Sequence, residues 1–179
     1  MRRSEIAPAC LTRTCSAPLR LTCAVDADCL SGSCNSDKRC VPKTATGNAL
    51  QRAAWLLSAS ATYSQDTPPQ KAIDGDPGTH WTSGTSQVPG MWFLIDLRKS
   101  TPFFDVQLTC TSNGDYPRSI RVLMSDDGQT FTPITGTIAG EQSLRIDFPT
   151  ARVGRFIKLE MEQDTGGTWW RIDELNVLQ

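Results

Sequence analysis

Histidine is all but missing: the 179-residue chain has one, His80. A lone imidazole leaves little room for a hydrolytic triad and none for a multi-histidine metal centre. No G-x-S-x-G, H-E-x-x-H or phosphate-loop pattern is present either. Charge of one sign is missing too. Eighteen Lys+Arg stand against nineteen Asp+Glu, a net charge of −1, which speaks against a nucleic-acid binder working through bulk electrostatics. No apolar run approaches the ~18 residues of a membrane-spanning helix. After residue 40 there is one cysteine, Cys110. What is present, 39% hydrophobic and 21% charged residues, suffices for a folded core. The balance points to a binding module, not an enzyme.

The chain divides at its cysteines. Cys10, Cys15, Cys23, Cys29, Cys34 and Cys40 crowd a segment rich in Gly, Ser, Asp and Asn, with almost no hydrophobic periodicity. Such a stretch cannot bury enough apolar surface to fold unaided, and an even cysteine count supplies disulfides in its place. Zinc is the rival, but zinc knuckles favour Cys-x2-Cys, and the gaps here are 4, 7, 5, 4 and 5 residues. The pairing stays open; the alternating arrangement Cys23–Cys34 with Cys29–Cys40, leaving Cys10 with Cys15, is preferred. Disulfides imply an oxidising compartment, so the expected location is extracellular or at the cell surface. MRRSEIAPAC has no apolar core for a signal peptide, and its arginine-rich opening also fits a transit sequence, against which six cysteines weigh. Residues 1–45 carry seven Lys+Arg and four Asp+Glu, residues 46–179 eleven and fifteen. The Pro/Thr/Gly stretch from Val41 to Asn48 reads as the hinge between a stapled segment, 1–45, and a domain, 46–179.

Beyond Leu57, short alternating runs follow one another between turn formers. Phe104, Val106, Leu108 and Cys110 share one face; Ile120, Val122 and Met124 alternate with Arg121, Leu123 and Ser125; Ile157, Leu159 and Met161 repeat the pattern. Asp126-Asp127-Gly128, Thr135-Gly136 and Gly166-Gly167 mark turns. Without a convincing amphipathic helix, this spacing predicts an all-β antiparallel sandwich or jelly roll. Cys110, on the apolar face, reads as a buried free thiol.

Four ordered motifs give the domain a likeness. KAIDGDPGTHW over 71–81 is followed by GMWFLIDL over 90–97, SDDGQTF over 125–131 and IDELNV over 172–177. In this order they resemble the discoidin, or coagulation factor 5/8 type C, family, which includes the family 32 carbohydrate-binding modules. The resemblance covers roughly residues 50–179 and implies a jelly-roll sandwich whose end loops bind glycans, lipid headgroups or proteins.

Asp74-Gly75-Asp76 with Thr79 gathers hard oxygens on a tight turn, a pattern suited to calcium, though not an EF-hand. The rival is a metal-free Asx-type turn. By the resemblance, a structural calcium ion would take main-chain oxygens of Ala72 and Asp76, a side-chain oxygen of Asp74, both from Thr79, and the carboxylate of Glu174.

Among the tryptophans, Trp81 and Trp92 fall on family core positions. Trp169 and Trp170 follow the Gly-rich tip TGGT; as neighbours on a strand, one should be buried and one exposed. The resemblance places at Trp169 an aromatic that stacks on a pyranose ring. Arg118 and Asn113, in the loop TSNGDYPR, are the polar partners, with Tyr63 and Gln65 as weaker candidates. His80, wedged between Thr79 and Trp81, is weighed between ligand contact and a structural place in the turn. No His–Arg–Asn set of the galactose-binding type can be read off.

The leading expectation is a secreted, non-catalytic carbohydrate-binding module for a glycan, galactose-type included, with a structural calcium site. An assembly subunit, using loops and cysteine-rich knob for protein contacts, is the alternative. Phospholipid binding wants apolar spikes ringed by basic residues, and loops such as TSGTSQVPG are small and polar.

Overall fold

A computed structural model of the chain describes residues 47–179. The six early cysteines and the boundary drawn at residue 45 lie outside the described residues.

Nine strands carry the domain: β1 (Leu56–Ala59), β2 (Trp81–Ser86), β3 (Trp92–Thr109), β4 (Ser119–Ser125), β5 (Thr132–Pro133), β6 (Ile138–Ala139), β7 (Ser143–Met161), β8 (Trp169–Ile172) and β9 (Glu174–Leu178). A single 3₁₀ turn, Pro69–Ala72, sits between β1 and β2, opened by prolines whose fixed φ suits its first residues. All ladders are antiparallel, as expected for a β-sandwich.

Two strands, β3 and β7, are far longer than an ordinary strand, and each changes partners along its length. The first half of β3, Trp92–Asp96, pairs β1 on one side and Phe156–Glu160 of β7 on the other, and β7 in turn pairs β4. The second half, Asp105–Thr109, pairs β9 and the opening residues of β7, Ser143–Asp147. Irregularities after Asp96 and after Phe103 turn the corner between the halves. At the first, Arg98 adopts φ +71°, held there by its N–H donating to Asp96 Oδ1 at 2.7 Å. Arg155 grips both oxygens of the same carboxylate at 2.8 and 2.9 Å.

The core fills from both halves. Trp81, Phe93 and Trp170 meet edge to face, with ring centroids 4.7, 5.3 and 6.4 Å apart. Phe103 stands edge-on to Phe148 at 5.6 Å. Val106, Leu108, Ile120, Val122, Ile157, Leu159 and Met161 are buried as the alternation predicts, and Cys110 is a buried free thiol.

Three expectations need correction. Trp92 is half-buried, because strand alternation commits Phe93 and Ile95 to the interior and turns Trp92 outward. Phe104 is half-buried and Phe103 takes the core, since the irregularity between Phe103 and Asp105 shifts the alternation by one residue. Leu123 is buried and Met124 only half-buried, so β4 is covered on both faces.

Candidate functional site

β2 and β8 form a separate two-stranded ladder, with Trp81 opposite Ile172, Thr82 opposite Arg171 and Ser86 opposite Trp169. Neighbours on β8 point to opposite sides. Trp170 is fully buried, whereas Trp169 is 38% exposed. Beside it lies Tyr63, 62% exposed, its ring 5.3 Å from the indole and tilted by 34°. Tyr63 reaches this place because its N–H donates to Thr82 O at 3.0 Å and because β2 is irregular at Gly84. Gly84 has φ +64°, and a Cβ there would lie 2.7 Å from the Tyr63 side chain. Two large exposed aromatic rings thus form one apolar step.

Polar groups border the step. Asp115 Oδ1 accepts from Trp169 N–H at 3.3 Å, and its carbonyl accepts from Arg171 N–H at 2.8 Å. Arg118 lies with its guanidinium carbon 3.7 Å from the Tyr116 ring centre, and one of its N–H groups donates to Gly114 O at 2.8 Å. Loop 111–118 therefore stiffens its own arginine. Buried Asp173 pins the start of this loop by accepting from Thr111 N–H at 2.6 Å, and Arg171 adds an ion pair. Burial alone would raise Asp173; Arg171 and Thr111 outweigh it and hold the carboxyl below its usual range. His80 faces Arg171, Asp173 and Asp115, and burial, then Arg171, lower its pKa.

Of the residues expected to bind ligand, the fold brings Trp169, Tyr63, Arg118 and His80 to one end through this network. Asn113 is exposed on the same loop, but its Oδ1 accepts from Gln142 Nε2 at 3.2 Å, on the side of the residue that leads into β7. Gln65 is exposed on the segment after Tyr63. Sequence reasoning missed Asp115, Arg171 and Gln87. Asp115 and Arg171 stood beside chosen residues; Gln87 sits in a stretch whose small polar composition gives no hint of burial.

The acidic turn lies next to β9. Thr79 Oγ1 donates to Asp74 Oδ2 at 2.7 Å and lies 3.2 Å from Asp76 O, and Asp76 N–H donates to Asp74 Oδ1 at 3.0 Å. The fold brings Glu174 to the same turn: its Oε1 accepts from Gly75 N–H at 2.7 Å, and its other oxygen pairs with Arg52. Lys71 Nζ lies 3.2 Å from Asp74 Oδ2. Burial would raise Asp74, yet Thr79, Asp76 N–H and Lys71 together leave it below the usual range. Clustered hard oxygens of this kind fit a calcium ion in donor chemistry. Among the described residues no three His, Cys, Asp or Glu side chains converge as a metal cluster. An ion here would lean on main-chain and hydroxyl oxygens, and would compete with Arg52 and Lys71 for the carboxylates.

Comparison with known proteins agrees with the architecture. The family model described as F5/8 type C domain matches residues 57–175. None of the curated proteins matches. The fold is similar to that of the family 32 carbohydrate-binding module of Clostridium perfringens NanJ, solved in complex with galactose. That likeness has TM-score 0.63 and 22% identity over 73% of this chain and 98% of that one. A second C. perfringens CBM32, in complex with GalNAc-β-1,3-galactose, gives TM-score 0.63 and 20% identity over 74% and 100%. The CBM32 of AlyQ, in complex with 4,5-unsaturated mannuronic acid, gives 0.57 and 20% over 74% and 98%.

Proposed function

Because the chain belongs to the F5/8 type C domain family, whose domains are non-catalytic binding modules, we propose that its β-sandwich is a lectin-like carbohydrate-binding module. The observation that carries this reading is the exposed Tyr63–Trp169 pair, tied through the Trp169 N–H to Asp115 in the loop that also carries Arg118. An indole face offers the C–H surface of a pyranose an apolar contact of fixed orientation, and the bordering polar groups can address its hydroxyls. That similar structures hold galactose or GalNAc-β-1,3-galactose supports a galactose-type glycan as the first ligand to try. So small and open a step suits weak single-site binding, strengthened by multivalent display.

The decisive experiment is a glycan-array screen of the full chain in millimolar calcium, with Trp169→Ala beside it. A defined hit lost in the variant is the expected result. A blank array from folded protein, presented multivalently, would refute the reading.

The proposal extends to a structural calcium ion at Ala72, Asp74, Asp76, Thr79 and Glu174, supported by the oxygen-rich turn and the approach of Glu174 to it. Bound calcium would draw these oxygens together and neutralise their charge, bracing the turn from which β2 departs. A ligand held at about a hundred times its Kd stabilises a fold by about 2.7 kcal/mol, so chelation should lower Tm measurably. An unchanged Tm after verified ion removal would sink it. The proposal also keeps an extracellular location, with the early cysteines as disulfides, to be checked by intact mass before and after reduction.

A further inference from the structure

Gln87 follows β2 and is fully buried, an unusual place for a primary amide. Its side chain makes three hydrogen bonds, all to main chain. Nε2 donates to Tyr116 O at 2.9 Å and to Trp169 O at 2.7 Å, and Oε1 accepts from Arg118 N–H at 3.0 Å. Two carbonyls and one N–H as partners fix which way the amide faces. The main chain of Gln87 adds two more: its N–H donates to Thr168 O at 2.9 Å, and its carbonyl accepts from Thr165 N–H at 3.2 Å. Every donor of the residue is therefore used and both its oxygens accept; two of the five bonds reach loop 111–118 and three reach the stretch 165–169, so Gln87 joins them.

Those two segments carry different halves of the candidate site. Arg118 and Asp115 belong to the first, Trp169 to the second. Its nearest substitutes could not make the same join. Ionised glutamate lacks the donors, methionine lacks the donors and offers only a weakly accepting sulfur, and asparagine is one methylene short. We infer that Gln87 is a positioning residue: a buried amide that fixes the spacing between the aromatic platform and the polar loop, so that the site is formed before ligand arrives. Its relevance to binding rests on the lectin reading; the join itself does not.

Preorganisation of this sort lowers the ordering cost that binding would otherwise carry. Removing the amide while keeping its bulk should therefore affect affinity beyond its effect on stability. The test compares wild type, Gln87→Met, Gln87→Asn and a core control, Leu159→Val, in the full chain. Binding is read on a multivalent galactose-terminated conjugate and loop order by amide hydrogen exchange.

In Gln87→Met, affinity should fall tenfold or more and the Arg118 amide should exchange at least tenfold faster. Gln87→Asn should fall between. Leu159→Val should lose Tm while keeping affinity. Equal affinity loss in Leu159→Val and Gln87→Met at matched Tm would overturn the inference, since stability alone would then explain it. If Gln87→Met fails to fold, the wild-type protein still decides. An Arg118 amide exchanging as fast as an open loop in folded wild type would overturn the join. Slow exchange at Arg118 with no glycan bound by wild type would instead refute the lectin reading and leave the join standing.

Discussion

His80 shows how much a single side chain's surroundings decide. Burial and the nearby Arg171 guanidinium both disfavour its charged form, and the opposing pull of Asp173 and Asp115 does not restore it. The folded protein therefore takes up this proton at lower pH than the unfolded chain does. Between the ordinary histidine value of about 6.5 and the depressed folded value, the unfolded state binds more protons, so stability falls as pH drops through that window. A proton-NMR titration of the only imidazole should give an inflection below 6.5; one above it would contradict the packing. The sequence placed His80 between a threonine and a tryptophan in a turn, which was enough to raise the question but not to answer it. Its lowered pKa depends on burial and on Arg171, ninety-odd residues away along the chain, and the β2–β8 pairing brings the two strands together. Gln87 was illegible for the same reason: a glutamine among Thr, Ser and Pro looks solvated until three main-chain partners surround it.

At the scale of the element, β8 puts two tryptophans to opposite uses. Trp170→Ala should cost about 3–5 kcal/mol of stability, as for other buried aromatics cut to alanine. Trp169→Ala should cost about 1 kcal/mol or less, since the residue is partly exposed and loses one ring contact. Denaturant melts of the pair test this, and equal losses would show that Trp169 is core. Strand alternation made the contrast readable in sequence, though not which of the two would face out. Gly84, in β2, supports the platform from below. Gly84→Ala forces a side chain into the left-handed region and against Tyr63 at 2.7 Å, a strain of about 1–3 kcal/mol. Glycan affinity should drop as Tyr63 is pushed from Trp169; retained affinity would show that the ring pair is dispensable. The same irregularities that make the site possible defeated the simple period-two reading: the corner at Phe103 exchanged Phe103 for Phe104, and nothing in the local sequence marks it.

Over the whole molecule, carboxylates set the response to acid. Arg155 holds Asp96 below the usual range. At Glu160 and Asp173 burial works the other way, but Arg121 with Lys158, and Arg171 with Thr111, outweigh it. Each of these groups stabilises the fold above its unfolded pKa and ceases to do so as pH falls through its lower folded value. Asp105, raised by burial, opposes the trend. With Asp74 and Asp127 also held low, five lowered carboxylates stand against one raised among the described residues, so Tm should decline steadily below about pH 4, the ordinary carboxylate range. A flat Tm between pH 5 and roughly pH 2 would show these ion pairs to be energetically idle. The all-β sandwich itself was legible because turn formers punctuate short alternating runs, and four ordered motifs located the domain. What could not be read was that β3 and β7 each change partners along their length.

The two ends of the described domain lie side by side. Ala49 bridges Leu178, Leu50 N–H donates to Val177 O at 2.8 Å, and Gln179 N–H reaches Asn48 O at 3.3 Å. A pull applied across these ends would open the contacts one after another, like a zip, without loading them together in shear. The platform of Tyr63 and Trp169 lies outside that line of force. Under tension the module should lengthen first by peeling its terminal residues at low load, while the loops that would hold a ligand keep their shape.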